Sequence, residues 1–451
     1  MRTALRPARH PSVHAVSRWP QRWVLMAALV LCACDTPPAP EAPAPAPVEP
    51  VAPTEPAARP DVPAVPAAPA EQPEDRWIAI DTHVDTTQRM LDAEDDIAER
   101  MPDGHLDLPR MREGGLTGAF FSIWVRPSAY PGERAWQRTL DLIAAVRQLA
   151  ETHPDEATLV VDEAGARRAA REGRAALLMG VEGAHALGAP EDPEVMLSRL
   201  AELYALGVRY MTVTWSNDNA LGHSSGGQHP RRGLTELGRR AIQEMNRLGM
   251  IVDVSHVSDR TFWDILEVTE RPPLASHSSS RALAAHPRNM TDRMIRAVAE
   301  RGGAVCVNYY TSFIDREYGL QRRQVERAHR SELRAIRDAH EHSWQRWRPV
   351  NARLHALDPT LEQPTLATLG AHFAHVVSLG GPRAACLGSD FDGVGELPVG
   401  LEDVSELGVL REELERRELD ARAIFGENVL RVLSAQAAAD RAASPSTTPS
   451  E

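Results

Sequence analysis

Ile78-Ala79-Ile80-Asp81-Thr82-His83-Val84-Asp85 is an apolar run of strand length that closes on two metal-type side chains. The same design recurs further along the chain. Ala176-Leu177-Leu178-Met179-Gly180-Val181-Glu182 ends in Glu, and Ala385-Cys386-Leu387-Gly388-Ser389-Asp390 ends in Asp. Met250-Ile251-Val252-Asp253-Val254-Ser255-His256 and Pro273-Leu274-Ala275-Ser276-His277 both end in His. Between these runs lie amphipathic stretches such as Leu237 to Leu248 and Asp292 to Glu300. The alternation predicts βα units and a parallel sheet. Candidate strands fall at 76–82, 116–125, 175–182, 208–215, 250–256, 272–277, 302–310 and 385–390, enough for a closed (β/α)8 TIM barrel. A doubly wound open sheet is the alternative, but the Gly-rich nucleotide loop expected after its first strand is missing. In a barrel all strand ends open on one face, so His83, Asp85, Glu182, His256, His277 and Asp390 would converge there. Imidazoles and carboxylates together suit a hard-to-borderline cation, zinc above all.

Composition narrows the chemistry. A net charge of −13 with pI near 5.7 carries no nucleic-acid footprint. The chain has no lysine, which excludes a lysine Schiff base and a carboxylated-lysine metal bridge, so a bridging ligand must be a carboxylate or water. Arg18 to Arg22 and the apolar run Trp23 to Leu31 read as a signal peptide, with Leu31-Cys32-Ala33-Cys34 resembling a bacterial lipobox. An ordinary secretory signal is the other reading. Residues 1–34 are thus expected to be a lipoprotein signal peptide with Cys34 lipidated, 35–75 a Pro/Ala-rich disordered tether, 76–435 the hydrolase domain and 436–451 a disordered tail. The product would be exported and held on a membrane of the bacterial cell envelope by its lipid. Cys306 and Cys386 read as buried thiols rather than a disulfide. The Arg-, Glu- and Trp-rich segment 312–362 reads as a charged helical insertion between the seventh and eighth barrel strands, either a solvated face or a lid or partner surface.

His83 and Asp85 are two apart and share a face of an extended segment. His105-Leu106-Asp107 repeats the pattern, but it follows Gly104 in a polar stretch and is set aside. Glycines at 180 and 183 flank Glu182 and would leave room for a ligand or second metal. Glu182 can bridge two cations, which a neutral imidazole cannot. Asp390 is placed to accept a proton from a metal-bound water. Asp392, before Gly393, reads as a turn residue.

These stretches, with Arg209-Tyr210-Met211-Thr212-Val213-Thr214, His286-Pro287-Arg288-Asn289 and Phe425-Gly426-Glu427-Asn428, resemble the membrane (renal) dipeptidase family of zinc metallopeptidases, in family order over 77 to about 433. The resemblance implies two Zn(2+) ions per chain. His83, Asp85 and Glu182 would hold one, and Glu182, His256 and His277 the other. It also implies a bridging hydroxide as nucleophile, Glu182 and Asp390 as the catalytic carboxylates, Arg288 clamping the substrate and a homodimer. The family histidine that contacts the substrate is replaced by Trp215, whose indole donates one hydrogen bond without charge. His223 in the next loop is a candidate substitute.

The expected activity is hydrolysis of dipeptides, including those with a C-terminal D-residue. The alternatives are another dinuclear hydrolase, acting on an N-acyl amino acid, cyclic amide or lactone, and a non-catalytic surface binding protein.

Overall fold

The computed structural model describes residues 77–340 and 342–443. The expected signal peptide, Cys34 and the tether lie outside them. The strands are β1 (Ile80–Val84), β2 (Gly118–Trp124), β3 (Ala157–Leu159), β4 (Ala175–Glu182), β5 (Val208–Thr212), β6 (Ile251–Asp253), β7 (Leu274–Ala275), β8 (Ala304–Val307) and β9 (Ala385–Leu387). They form one parallel sheet in the order β2-β1-β9-β8-β7-β6-β5-β4-β3, and a further β2–β4 pairing closes a ring of eight. This is the expected (β/α)8 barrel.

The extra strand, β3, escapes a sequence reading because three residues carry no period. It pairs with Ala175–Leu177 at the start of β4, on the edge that β5 takes over from Met179 onward.

Alternation along the strands sorts two apolar cores. Ile78, Ile80, Phe120, Ala176, Leu178, Tyr210 and Ile251 fill the barrel interior. Ala79, Ala119, Phe121, Leu177, Met179 and Met211 face the surrounding helices. Helix starts are fixed by side chains that accept from backbone N–H groups, as Asp162 does from Gly165 and Thr235 from Gly238.

Three expectations need correction. Cys306 and Cys386 form a disulfide, because β8 and β9 are neighbours and put the two residues in direct register inside the barrel. The last helix, Asn428–Ala443, runs past the boundary expected at 435, since the tail's alanines favour helix; residues 444–451 lie outside the described ones. The 312–362 insertion is not merely a solvated face. Its helices Arg316–Ala328, Arg330–Asp338 and Ser343–Leu357 enclose an apolar cluster of Tyr318, Leu333, Val350, Leu354 and Leu361. Glu396, in the loop after β9, ties this unit to the barrel. It accepts from Thr311 Oγ1 at 2.8 Å, Arg322 Nη1 at 2.6 Å and the Tyr318 hydroxyl.

Candidate metal centre

The barrel brings the strand-end residues together. His83 is on β1, Asp85 just beyond it, and Glu182 is the last residue of β4. His256, His277 and Asp390 follow β6, β7 and β9. His256 and Asp390 have φ of 67° and 66°, a left-handed conformation that side chains adopt only where the surroundings enforce it. The Asp390 N–H is held by the His83 carbonyl at 3.0 Å, and the His256 carbonyl accepts from the Ser225 N–H at 2.8 Å. Beneath them the Asp81 carboxylate accepts from the N–H groups of His83 and Ser389, which sets the ends of β1 and β9 level.

Glu182 stands among all three imidazoles, and among the described residues the groups close enough to share an ion are His83 with Glu182 and His277, and His83 with Asp85 and Asp390. Glu182 Oε1 stands 2.8 Å from His256 Nε2 and 3.4 Å from His277 Nε2. Its Oε2 is 3.8 Å from His83 Nε2, which is in turn 3.9 Å from Asp85 Oδ2. Burial pushes the His83 imidazole down to about 3, with the Arg288 charge adding to the effect, and holds His256 and His277 well below their usual range. All three are therefore neutral donors at neutral pH. Burial raises Asp85 and Glu182; repulsion from Asp390 raises Asp85 further, and repulsion from Asp85 and Asp390 raises Glu182 further. His83 Nε2 and Asp85 Oδ1 are buried without a hydrogen-bond partner. Neutral imidazoles, crowded carboxylates and two buried orphan atoms fit divalent cations, which would reverse the repulsion.

The supporting residues were not singled out from sequence. The Tyr210 hydroxyl donates to the Thr82 carbonyl at 3.0 Å and meets His83 Nδ1 at 2.7 Å. With its proton so committed, it accepts from Nδ1–H, which leaves Nε2 as the free donor. A Cβ at Gly180 would sit 2.0 Å from the Tyr210 ring. The space at Gly180 therefore belongs to this tyrosine and not, as expected, to a ligand or second metal. At Gly183 a Cβ would meet the His185 ring and the Trp215 backbone, so that space is taken too. Asp253 accepts from Ser276 Oγ at 2.7 Å, and Ser276 Oγ lies 2.8 Å from His277 Nδ1, a second orienting relay. Asn308 Nδ2 donates to Asp390 Oδ2 at 2.8 Å. The signal for these was burial of polar residues inside strand patterns, which only the fold reveals.

A cleft of about 390 Å³ opens over the centre, lined by Asp85, Glu182, Trp215, His256, Arg288 and Asp390 among others. Arg288 donates to the His277 carbonyl at 3.0 Å, while its buried Nε has no partner. Trp215 packs against Trp124, ring centres 5.1 Å apart. His223 is not among the cleft residues. Its Nδ1 bonds the Gly233 carbonyl at 2.8 Å, because Asp218 gathers the 216–233 loop by accepting from the N–H groups of Ser224 and His229. His105 and Asp107 stand apart from the metal-type cluster: Asp107 caps the helix Leu108–Gly114, and His105 contacts the loop after β9. Asp392 ties that loop down by accepting from Thr86 Oγ1 and the His105 N–H.

A family profile described as membrane dipeptidase (peptidase family M19) matches residues 70–446. Among solved structures, a metallopeptidase from Rhodobacter sphaeroides, liganded with a phosphinate mimic of the dipeptide L-Ala-D-Ala, is 26% identical. That match covers 80% of this chain and 100% of that one, with a TM-score of 0.63. A structure described as the dipeptidase AC, of the same peptidase family, is 26% identical over 80% of this chain and 99% of that one, with a TM-score of 0.63. The probable dipeptidase PvdM from Pseudomonas aeruginosa shares the fold at 23% identity and a TM-score of 0.67, over 81% of this chain and 96% of that one.

Proposed function

The chain belongs to the membrane dipeptidase family, peptidase family M19, and from that premise we propose that it is a dizinc dipeptidase. The observation that carries the reading is the placement of Glu182, with one carboxylate oxygen toward His83 and Asp85 and the other toward His256 and His277. His83, Asp85 and Glu182 would hold one zinc, and Glu182, His256 and His277 the other. When bound, the pair supplies Lewis acidity that activates water and polarises the peptide carbonyl. Asp390, fixed by Asn308, takes the proton of the attacking water at its carboxylate and returns it to the leaving amine. Arg288, with an uncommitted Nε, holds a substrate carboxylate. The cleft volume suits a dipeptide, and the ligand of the Rhodobacter relative supports tolerance of a C-terminal D-residue.

We further propose export and anchoring through a lipidated Cys34. The Cys306–Cys386 disulfide supports export, because disulfides persist in oxidising compartments.

The test is metal content and hydrolysis of L-Ala-D-Ala by the purified protein, with and without chelator. About two zincs per chain and chelator-sensitive cleavage are expected. Zinc without cleavage of any dipeptide would sink the reading. A hydrolase of N-acyl amino acids, cyclic amides or lactones would then lead, a second reading that Trp215 favours because it lacks the charge of the family histidine.

A further inference from the structure

Five aromatic side chains, Trp124, Trp215, Tyr310, Phe313 and Trp347, line the cleft, each half-buried. They do not stand on one side. Trp124 ends β2 and Trp215 follows β5, and the two rings touch at a centre separation of 5.1 Å. Tyr310 and Phe313 follow β8, and their rings meet edge to face at 4.9 Å. Trp347 comes from the insertion and packs on Gly395 in the loop after β9, where an added Cβ would lie 2.8 Å from the indole Cδ1. In the closed ring β5 is four strands from β9, and β4, beside β2 and β5, is four strands from β8. Trp215, after β5, therefore stands across the barrel mouth from the β9 side where Trp347 docks, while Trp124, on β2 two strands from β9, extends the Trp215 wall.

Trp347 is held where it stands. Its ring stacks on His105, centres 5.0 Å apart and planes 10° from parallel. His105 Nδ1 accepts from the Asp392 N–H at 3.0 Å, and Asp392 Oδ1 accepts from the His105 N–H at 2.7 Å. The indole is thus tied to the loop that carries Asp390. The insertion's own apolar cluster is built without it, from Tyr318, Leu333, Val350, Leu354 and Leu361.

We infer that Trp347 is a specificity-determining residue, and that with Trp124 and Trp215 across the cleft it selects dipeptides carrying a large planar or aromatic side chain. Flat rings presented from two sides bury such a side chain and stack on it, whereas the methyl groups of Ala-Ala touch neither wall well. The inference rests on the dipeptidase reading and names its substrate class.

The experiment compares kcat and KM for Ala-Ala, Phe-Ala and Ala-Phe in the wild type and in Trp347→Ala, Trp347→Phe and Gly395→Ala, with zinc content measured on each. The wild type should prefer one of the aromatic dipeptides over Ala-Ala. Trp347→Ala should lower kcat/KM for that substrate about tenfold, mostly through KM, with Ala-Ala changed less than about twofold. Trp347→Phe should recover most of the preference, and Gly395→Ala, which displaces the indole, should reproduce the loss. Equal losses on all three substrates, or no aromatic preference in the wild type, would overturn the inference while leaving the dipeptidase reading intact. A wild type that cleaves none of the three would overturn the dipeptidase reading and the inference with it.

Discussion

Glu182 Oε1 lies 2.8 Å from His256 Nε2, while the other oxygen of the same carboxylate faces His83. Replacing Glu182 by Gln keeps the shape but leaves one oxygen and an amide that cannot serve both sides. We expect metal content to fall below two per chain and kcat to drop by more than roughly 100-fold, since loss even of an outer-sphere partner costs 10–100-fold. Unchanged turnover with full metal content would remove Glu182 from the bridging position.

Tyr210 gives a milder prediction. Tyr210→Phe removes the hydroxyl that receives His83 Nδ1–H. Zinc affinity should fall about 10–100-fold, with activity restored by added zinc and the circular dichroism spectrum unchanged. A competition titration with a chelating dye reads this directly.

Metal removal should also lower thermal stability. Asp85, Glu182 and Asp390 are crowded and buried, and a cation bound only by the folded state stabilises it by mass action. The melting temperature should fall on chelation and recover with zinc. An identical melting curve with and without bound metal would contradict this.

Acid stability should depend in part on Glu427. The Arg167 guanidinium, 2.6 Å away, holds this carboxyl below its usual range. A depressed folded-state pKa contributes stability that is present above the unfolded value, about 4.3, and is lost as pH falls through the lower folded one. Both groups are about one-third exposed, so the pair contributes at most about 1 kcal/mol. Glu427→Gln should therefore destabilise at pH 7, and the difference from wild type should shrink as pH falls below the unfolded value. Denaturant unfolding on both sides of that value measures it.

The disulfide joins residues 80 apart in sequence. By loop entropy its removal should cost about 4.5 kcal/mol. A fragment lacking residues 1–75 should show no free thiol when denatured without reductant, and two after reduction. Two thiols before reduction would mean that Cys306 and Cys386 are unpaired.

The barrel and the convergence of its strand-end His, Asp and Glu side chains were legible from the chain, because both depend on local order. A strand followed by a helix turns the chain back, and repetition of that unit closes a parallel ring. Metal-type residues at the ends of β1, β4, β6, β7 and β9 then need no further information to reach one another. Tyr210 and Asp253 were hidden for a different reason. Tyr210 on β5 serves His83 on β1 across the barrel, and Asp253 on β6 reaches His277, just past β7, through Ser276, relations that exist only once the ring is closed. His223 looked available by its place in sequence, yet its Nδ1 is bonded to the Gly233 carbonyl within a loop that Asp218 ties together.

The disulfide and Trp347 mark the same boundary. The sequence by itself determined the alternation of βα units, the absence of any lysine bridge and the identities of His83, Asp85, Glu182, His256, His277 and Asp390 as one group. Only the tertiary structure decided that Cys386 lies in register with Cys306 and that an insertion between β8 and β9 brings an indole to the cleft. Strand order and register are cooperative properties of the closed sheet, and where an inserted helix docks depends on surfaces far from it in sequence, here Glu396, His105 and Gly395.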